Sequence, residues 1–536
     1  MSDLNTIVMA ERAAAEAKRA GIAADRDARG TVAASGYVWQ QLDQLISDAV
    51  RRATGFDDVQ IQLGPIARDK FDGDVVLKVP SLLKKGGPKR FIAEFQPAIV
   101  AALEDPALSS VIKKLSLAGM YINITLADEW LLRTADQVAE LGDRYGETDA
   151  LAGQGVVIDY SSPNVAKVLH AGHIRSTITG HVLGNLYDAC GATVYRVNHI
   201  NDFGGFGFIL EGYRRFYDQM PADATENDRL LAIYGIRRTL ERVVGAEDDA
   251  AWDAETSALM QQYFPGVTTR DAAVAALADF TAASDARFDK LESGDPDETA
   301  LWQKMVGWSL EAFQDFYRHL NIDIDFVLGE SFYYRDGMEV IERALADGSA
   351  IVFTEDLAEA ELAEVARLRA ADELSEGEAL AEGGGELRIR GIKKDIGATI
   401  AQLPSGERFV LLRSDGHSIY ATRDIGAIYR RNQLFDPAIV EYVVGQEQRA
   451  HFQRLFATAE VLGLVTDGKP KLEHLSFGFY VDQSTGKKLS SRASVANVMT
   501  LLEMSEEYFR TRMSERGNQS EAERNTAAKE LSIGSL

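Results

Sequence analysis

Residues 156–197 constrain the fold most. Val156-Val157-Ile158-Asp159-Tyr160 is a short apolar run of strand composition, and after a polar turn a helical pattern runs from about Ala171 to Cys190. Gly191 stops it, and Thr193-Val194-Tyr195-Arg196-Val197 reads as a second strand. A strand, a helix and a strand at this spacing form a βαβ unit, with parallel pairing and a right-handed crossover. The chain is thereby committed to an α/β fold with a Rossmann-like parallel sheet. Ile174, Ile178, Val182 and Leu186 recur at helical spacing and predict the buried face of the helix. Such sheets bind ligands outside the carboxyl ends of their strands, so the turn between Tyr160 and His173 is where chemistry is expected.

The rest of the chain is organised around that unit. Residues 1–146 predict a separate N-terminal α+β domain, with a polar, alanine-rich helix over 10–25, apolar positions at Val38, Leu42 and Leu45, and strands at 75–79 and 122–126. Residues 84–90, Lys-Lys-Gly-Gly-Pro-Lys-Arg, read as a solvated basic turn. Residues 147–492 read as the main domain, with a helical, strand-free insertion at about 211–314 and strands returning at 324–328, 409–412 and 440–444. The Glu- and Ala-rich stretch 355–385 predicts an exposed helix and a glycine-rich loop, and residues 493–536 a helical stem.

Composition excludes several classes. A single cysteine, Cys190, rules out a disulfide framework and a cysteine-rich zinc site, and reads as a small core residue. No apolar run reaches membrane-spanning length, and the first residues lack the basic and apolar segments of a secretory leader, so no membrane association and a cytoplasmic location are expected. A net charge of −25 opposes non-specific nucleic-acid binding over the whole surface, while a local basic patch can still hold one defined RNA.

His170 and His173, with Gly172 between them, stand where the first strand passes into a helix. Unpaired backbone N–H groups and the positive end of the helix dipole make that position an anion site, and Gly172 lets a nucleotide approach the backbone closely. Two imidazoles there can donate to phosphate oxygens whose charge grows during attack on the α-phosphorus. The rival readings are a metal pair, for which a third ligand is missing nearby, and helix-cap packing. No metal is expected. Gly204-Gly205-Phe206-Gly207 lacks the spacing of a dinucleotide-binding fingerprint.

The wider string from Asp159 to Thr177, with Ser161-Ser162-Pro163-Asn164 and Ala166-Lys167 before the histidines, resembles the first signature of class I aminoacyl-tRNA synthetases, in the form found in arginyl-tRNA synthetases. Later segments are similar in the same order: 198–204, Gly329-Glu330-Ser331, Ser414-Asp415-Gly416 leading into Tyr420-Ala421-Thr422-Arg423-Asp424, and Gly445-Gln446-Glu447-Gln448 with His451-Phe452. Gly486-Lys487-Lys488-Leu489-Ser490-Ser491-Arg492 resembles the second signature, a cationic loop over the triphosphate. Its second lysine is replaced by Ser491, a loss that arginyl members often show alongside a lysine in the place of Lys167.

The resemblance implies a class I catalytic domain over 147–492 and an N-terminal domain that contacts the tRNA elbow. It implies arginine, tRNA(Arg) and ATP with Mg2+ as substrates, no tightly bound cofactor, and a monomer. His170, His173, Lys167 and Lys488 fall at the phosphates, and Gly172, Ser490 and Ser491 at ATP. Asp424 and Tyr420 fall where the guanidinium is held, and Gln448, Asn164 and Asp159 at the rest of the arginine pocket. A planar five-donor cation is read best by carboxylates and fixed acceptors, and Tyr420 and Asp424 lie one helical turn apart. The family usually continues into an anticodon-binding domain after a segment like residues 531–536, so the sequence is expected to be either a fragment or truncated product or a shortened paralogue, and two alternatives to tRNA charging stay open. One is a paralogue that hands arginine to a non-tRNA acceptor, and the other a non-catalytic arginine- or ATP-binding relic.

Overall fold

The structure is a computed structural model that describes residues 13–14, 16–22, 24–25, 28, 32–33, 36–66, 72–167, 169, 171–246, 252–371, 386–478, 498–515 and 520–535. Its chain divides into two compact units, one of residues 20–154 with 187–193, the other of residues 1–19, 155–186 and 194–536.

The smaller unit is an antiparallel sheet of β1 (Gln62–Pro65), β2 (Val75–Lys78), β3 (Ile112–Ala118) and β4 (Tyr121–Leu126) in the order β1-β2-β4-β3. The helix Val38–Thr54 lays Val38, Leu42, Ile46, Ala49 and Val50 into a core shared with Phe91, Ile99, Ile122 and Ile124. The basic residues expected in a turn instead belong to a helix, Pro80–Arg90. Pro80 opens it, and the helical path breaks at Gly87 (φ 70°), because Pro88 disfavours a helical conformation in the residue before it.

The larger unit holds a five-stranded parallel sheet of β5 (Gly155–Asp159), β6 (Thr193–Asn198), β7 (Phe326–Val327), β11 (Ile439–Gly445) and β12 (Lys471–Phe477), in the order β12-β11-β5-β6-β7. In between in sequence, β8 (Ala350–Val352), β9 (Thr399–Gln402) and β10 (Arg408–Leu412) form a small antiparallel sheet. The strand read at 324–328 is only the two residues of β7, paired with Val197 and Asn198. From β5 the sheet grows through β6 and β7 on one side and through β11 and β12 on the other, so strand order reverses between β5 and β11. The switch-point rule places a ligand at their carboxyl ends.

The helix after β5, Ala171–Ala189, corrects the expected face. Ile174 is buried, but Val182 and Leu186 are 49% and 58% exposed. What faces the sheet is Thr177, Gly180 and Gly184, because the opposing side chains are Tyr160 and Arg196; a Cβ on Gly180 would stand 2.3 Å from the Tyr160 ring. Among the described residues, five α-helices between Gly207 and Leu320 separate β6 from β7, bringing Phe216, Phe264 and Phe280 together. Beyond β7, the helices Glu330–Asp347 and Tyr420–Phe435 cross almost backbone to backbone. A Cβ on Gly426 would lie 2.3 Å from the Tyr333 carbonyl, and one on Gly337 would lie 2.1 Å from the Thr422 carbonyl.

Candidate active site

The turn after β5 is pinned from four directions. Ser161, Ser162 and Ala166 all have positive φ (71°, 44° and 60°), an uncommon conformation for residues with a Cβ. Such strain persists only where the surroundings over-determine it. Here the Ser161 N–H donates to Ser176 Oγ (3.1 Å), whose hydroxyl donates to the Val443 carbonyl of β11 (2.7 Å). The Ser162 N–H donates to Asn198 Oδ1 at the end of β6 (3.0 Å), and the Ala166 N–H to Ser309 Oγ on the helix Pro296–Leu320 (3.0 Å). Thr177 donates to Ser161 Oγ (2.9 Å), which also meets the Tyr317 hydroxyl (2.8 Å), and burial pushes that phenol up to about 12. Ser176, Thr177 and Asn198 fall within strings that carry the family resemblance, but Ser309 and Tyr317 do not stand out in the sequence, and no supporting role is legible there because a serine or an asparagine carries no positional signal.

Asp159 closes β5 and is buried. Its carboxylate accepts from Arg431 Nη2 (2.7 Å) and from Ser162 Oγ (3.0 Å), with His199 Nδ1 at 3.7 Å. Desolvation favours the neutral acid, but the Arg431 guanidinium and His199 outweigh it and hold the carboxyl well below the usual range. Arg431 is fully buried, 5.4 Å and 5.5 Å from the Tyr333 and Tyr442 ring centroids. Asp159 therefore ties β5 to the helix Tyr420–Phe435 through a guanidinium of the chain itself.

That helix carries Tyr420 and Asp424 in its first turns. Asp424 accepts from His451 Nε2 (2.8 Å), and the imidazole stands 4.9 Å from the Tyr420 ring. His451 lies on the helix Arg449–Val461, which follows the turn Gln446–Gln448 at the carboxyl end of β11. Tyr420, Asp424 and His451 are thus in one cluster, with exposed Gln448 one turn before His451. Asn164 is half-buried and forms a parallel bridge with Asn201. Tyr420, itself 56% exposed, also lines a cavity of about 570 Å³ with Asn201, Gly204, Phe208, His417 and Arg423.

Gly172 and His173 open the helix Ala171–Ala189, and His173 is half-buried. Lys167 is exposed, with its ammonium 5.1 Å from the Tyr234 ring centroid, and desolvation lowers its pKa. His170, Lys488, Ser490 and Ser491 lie outside the described residues. The residues flanking the stretch that holds the last three are described. Arg175 Nη1 donates to the Gly478 carbonyl (2.9 Å), and the Val498 N–H donates to the Leu169 carbonyl (3.2 Å). Both flanks are bonded within six residues of His173.

A parallel sheet with this strand order, split by helices and carrying its turn at the switch point, is the fold of the class I synthetases. The arginyl-tRNA synthetase of Thermus thermophilus overlays 92% of this chain and 74% of its own, with a TM-score of 0.57 at 18% identity. That of Plasmodium falciparum overlays 92% and 72%, with a TM-score of 0.53 at 17% identity. The family described as tRNA synthetases class I (R), catalytic domain, matches residues 138–367 and 364–536, and the chain belongs to it. An arginine–tRNA ligase of Chloroflexus aurantiacus is 31% identical over 412 residues, 76% of this chain and 57% of the relative. A probable cytoplasmic arginine–tRNA ligase of Schizosaccharomyces pombe is 28% identical over 78% of this chain and 58% of its own. The chain thus spans less than two thirds of these relatives. Among the described residues, no helix is long and apolar enough to cross a membrane.

Proposed function

We propose that the chain activates arginine with MgATP and transfers it to the 3′ end of tRNA(Arg). The observation that carries this reading is the over-determined turn at the switch point, bonded on either side to the flanks of the stretch containing Lys488, Ser490 and Ser491. A phosphate site at a helix start and a lysine-bearing segment rooted beside it are what in-line attack on an α-phosphate needs.

In the first step the arginine carboxylate attacks the α-phosphorus and pyrophosphate leaves. In the second, a ribose hydroxyl attacks the arginyl carbonyl, AMP leaves, and the hydroxyl proton is released. Catalysis rests on positioning and on neutralising charge, with no covalent intermediate on the enzyme. His170, His173, Lys167 and Lys488 hold the phosphates, while Gly172, Ser490 and Ser491 line the nucleotide. Asp424 and Tyr420 read the guanidinium, and Gln448 and Asn164 complete the arginine pocket. Asp159 acts through the turn it fixes, since Arg431 already occupies its carboxylate.

Charging of arginine-accepting tRNA with radiolabelled arginine tests the proposal. The expected result is arginine- and ATP-dependent charging that fails in Lys167→Ala. Arginine-dependent AMP formation from ATP with no charged tRNA would replace the acceptor, and no turnover of any kind would overturn the reading.

A further inference from the structure

We propose that His451 is a positioning residue for arginine recognition, fixing the Asp424 carboxylate so that it meets a guanidinium in one orientation. The inference rests on the reading of Asp424 as the guanidinium carboxylate and adds a residue to it. An aspartate near the start of a helix has a rotatable carboxylate, and selectivity for a planar fork of donors requires that rotation to be stopped. His451 Nε2 donates to Asp424 Oδ2 at 2.8 Å, and a carboxylate oxygen has a second lone pair for a substrate N–H.

The imidazole is itself held by its surroundings. Its ring lies 4.9 Å from Tyr420, 5.9 Å from Phe409 and 5.5 Å from Phe452, between centroids. The other ring nitrogen, Nδ1, is buried with no hydrogen-bond partner among the described residues. The ring therefore has one polar engagement, directed at Asp424, and three aromatic walls that fix its plane. The same ring touches Tyr420, so one side chain sets the relative placement of both groups that read arginine. Gln448 lies one turn before it, which makes the β11 end a single rigid source of two pocket contacts.

Two substitutions separate this role from simple packing. His451→Phe keeps the ring and removes the donor, whereas His451→Gln loses the ring but keeps an N–H of similar reach. Calorimetric titration of arginine into the full chain, with KM values for arginine and ATP in the charging assay, gives the readout. Expected is a roughly ten- to hundredfold weaker arginine affinity and higher arginine KM in His451→Phe, with the ATP KM unchanged, and substantial recovery in His451→Gln. Wild-type arginine affinity in His451→Phe would overturn the inference alone. Equal loss in both variants, or an ATP KM rising in step, would assign a packing role and overturn it as well. If the wild-type chain binds no arginine, the arginine-ligase reading falls first and this inference with it.

Discussion

Replacing Arg431 by methionine leaves Asp159 buried without its counter-charge. The guanidinium is wholly buried and the Asp159 side chain is 4% exposed, so solvent screens neither. Removing one partner of such a pair costs about 3–5 kcal/mol, because the remaining charge stays desolvated. Asp159→Asn should cost a similar amount by stranding the guanidinium. The double variant removes both charges, keeps Ser162 and His199 as hydrogen-bonding neighbours, and should cost less than the two single losses together by about 2 kcal/mol or more. The sign with pH follows from the depressed Asp159 pKa. Its contribution is complete above the ordinary carboxylate range and lost only as pH falls through the lower folded value, so the penalty in Arg431→Met should shrink on acidification. Scanning calorimetry of the larger unit's transition is the assay, with a fall of roughly 4–6 °C expected for Arg431→Met at neutral pH. Single losses that add within about 0.5 kcal/mol in the double variant would refute the coupling.

Gly426→Ala places a methyl group 2.3 Å from the Tyr333 carbonyl, so the two crossing helices must part, at a cost of about 1–3 kcal/mol; a higher arginine KM should accompany the lower Tm, and unchanged values of both would contradict the close crossing. Asp202 is buried, accepts from the N–H and hydroxyl of Ser331, and has its pKa pushed up to about 6, chiefly by burial. The protonated form is favoured in the folded state, so this stabilising contribution is full below about pH 4 and is lost as pH rises through 6. Asp202→Asn should therefore gain about 3 kcal/mol relative to wild type between pH 4 and pH 7 in denaturant titrations, and a pH-independent difference would contradict the assignment.

The candidate site residues that the sequence offers are those whose chemistry sits in short contiguous strings. The histidine turn declares itself by residue type and spacing, Tyr420, Asp424 and Gln448 are picked out only by the family resemblance, and β5 and β6 declare themselves as apolar runs. What stayed hidden depends on partners distant in sequence. Arg431 and Asp159 are 272 residues apart, and nothing local says that this carboxylate is already engaged. His451 was visible only as part of a string; its bond to Asp424 joins two different helices. The helix face was misread for a related reason. Hydrophobic spacing finds the buried side when the opposing surface has room for large side chains, whereas Tyr160 and Arg196 leave room only for Gly180, Gly184 and Thr177. The basic run at 84–90 looked like a turn because its glycines and proline dominate, yet Pro80 ahead of it starts a helix that continues up to Gly87.

Arginine-dependent exchange of labelled pyrophosphate into ATP, with and without arginine-accepting tRNA and beside His173→Ala, decides whether the chain forms arginyl-adenylate at this turn. The expected result is exchange that requires arginine, is stimulated by the tRNA and falls at least a hundredfold in the variant, an effect on the order of that expected when charge stabilisation at the reacting phosphate is removed. Exchange driven equally by other amino acids, exchange insensitive to His173→Ala, or none under any of these conditions would contradict it.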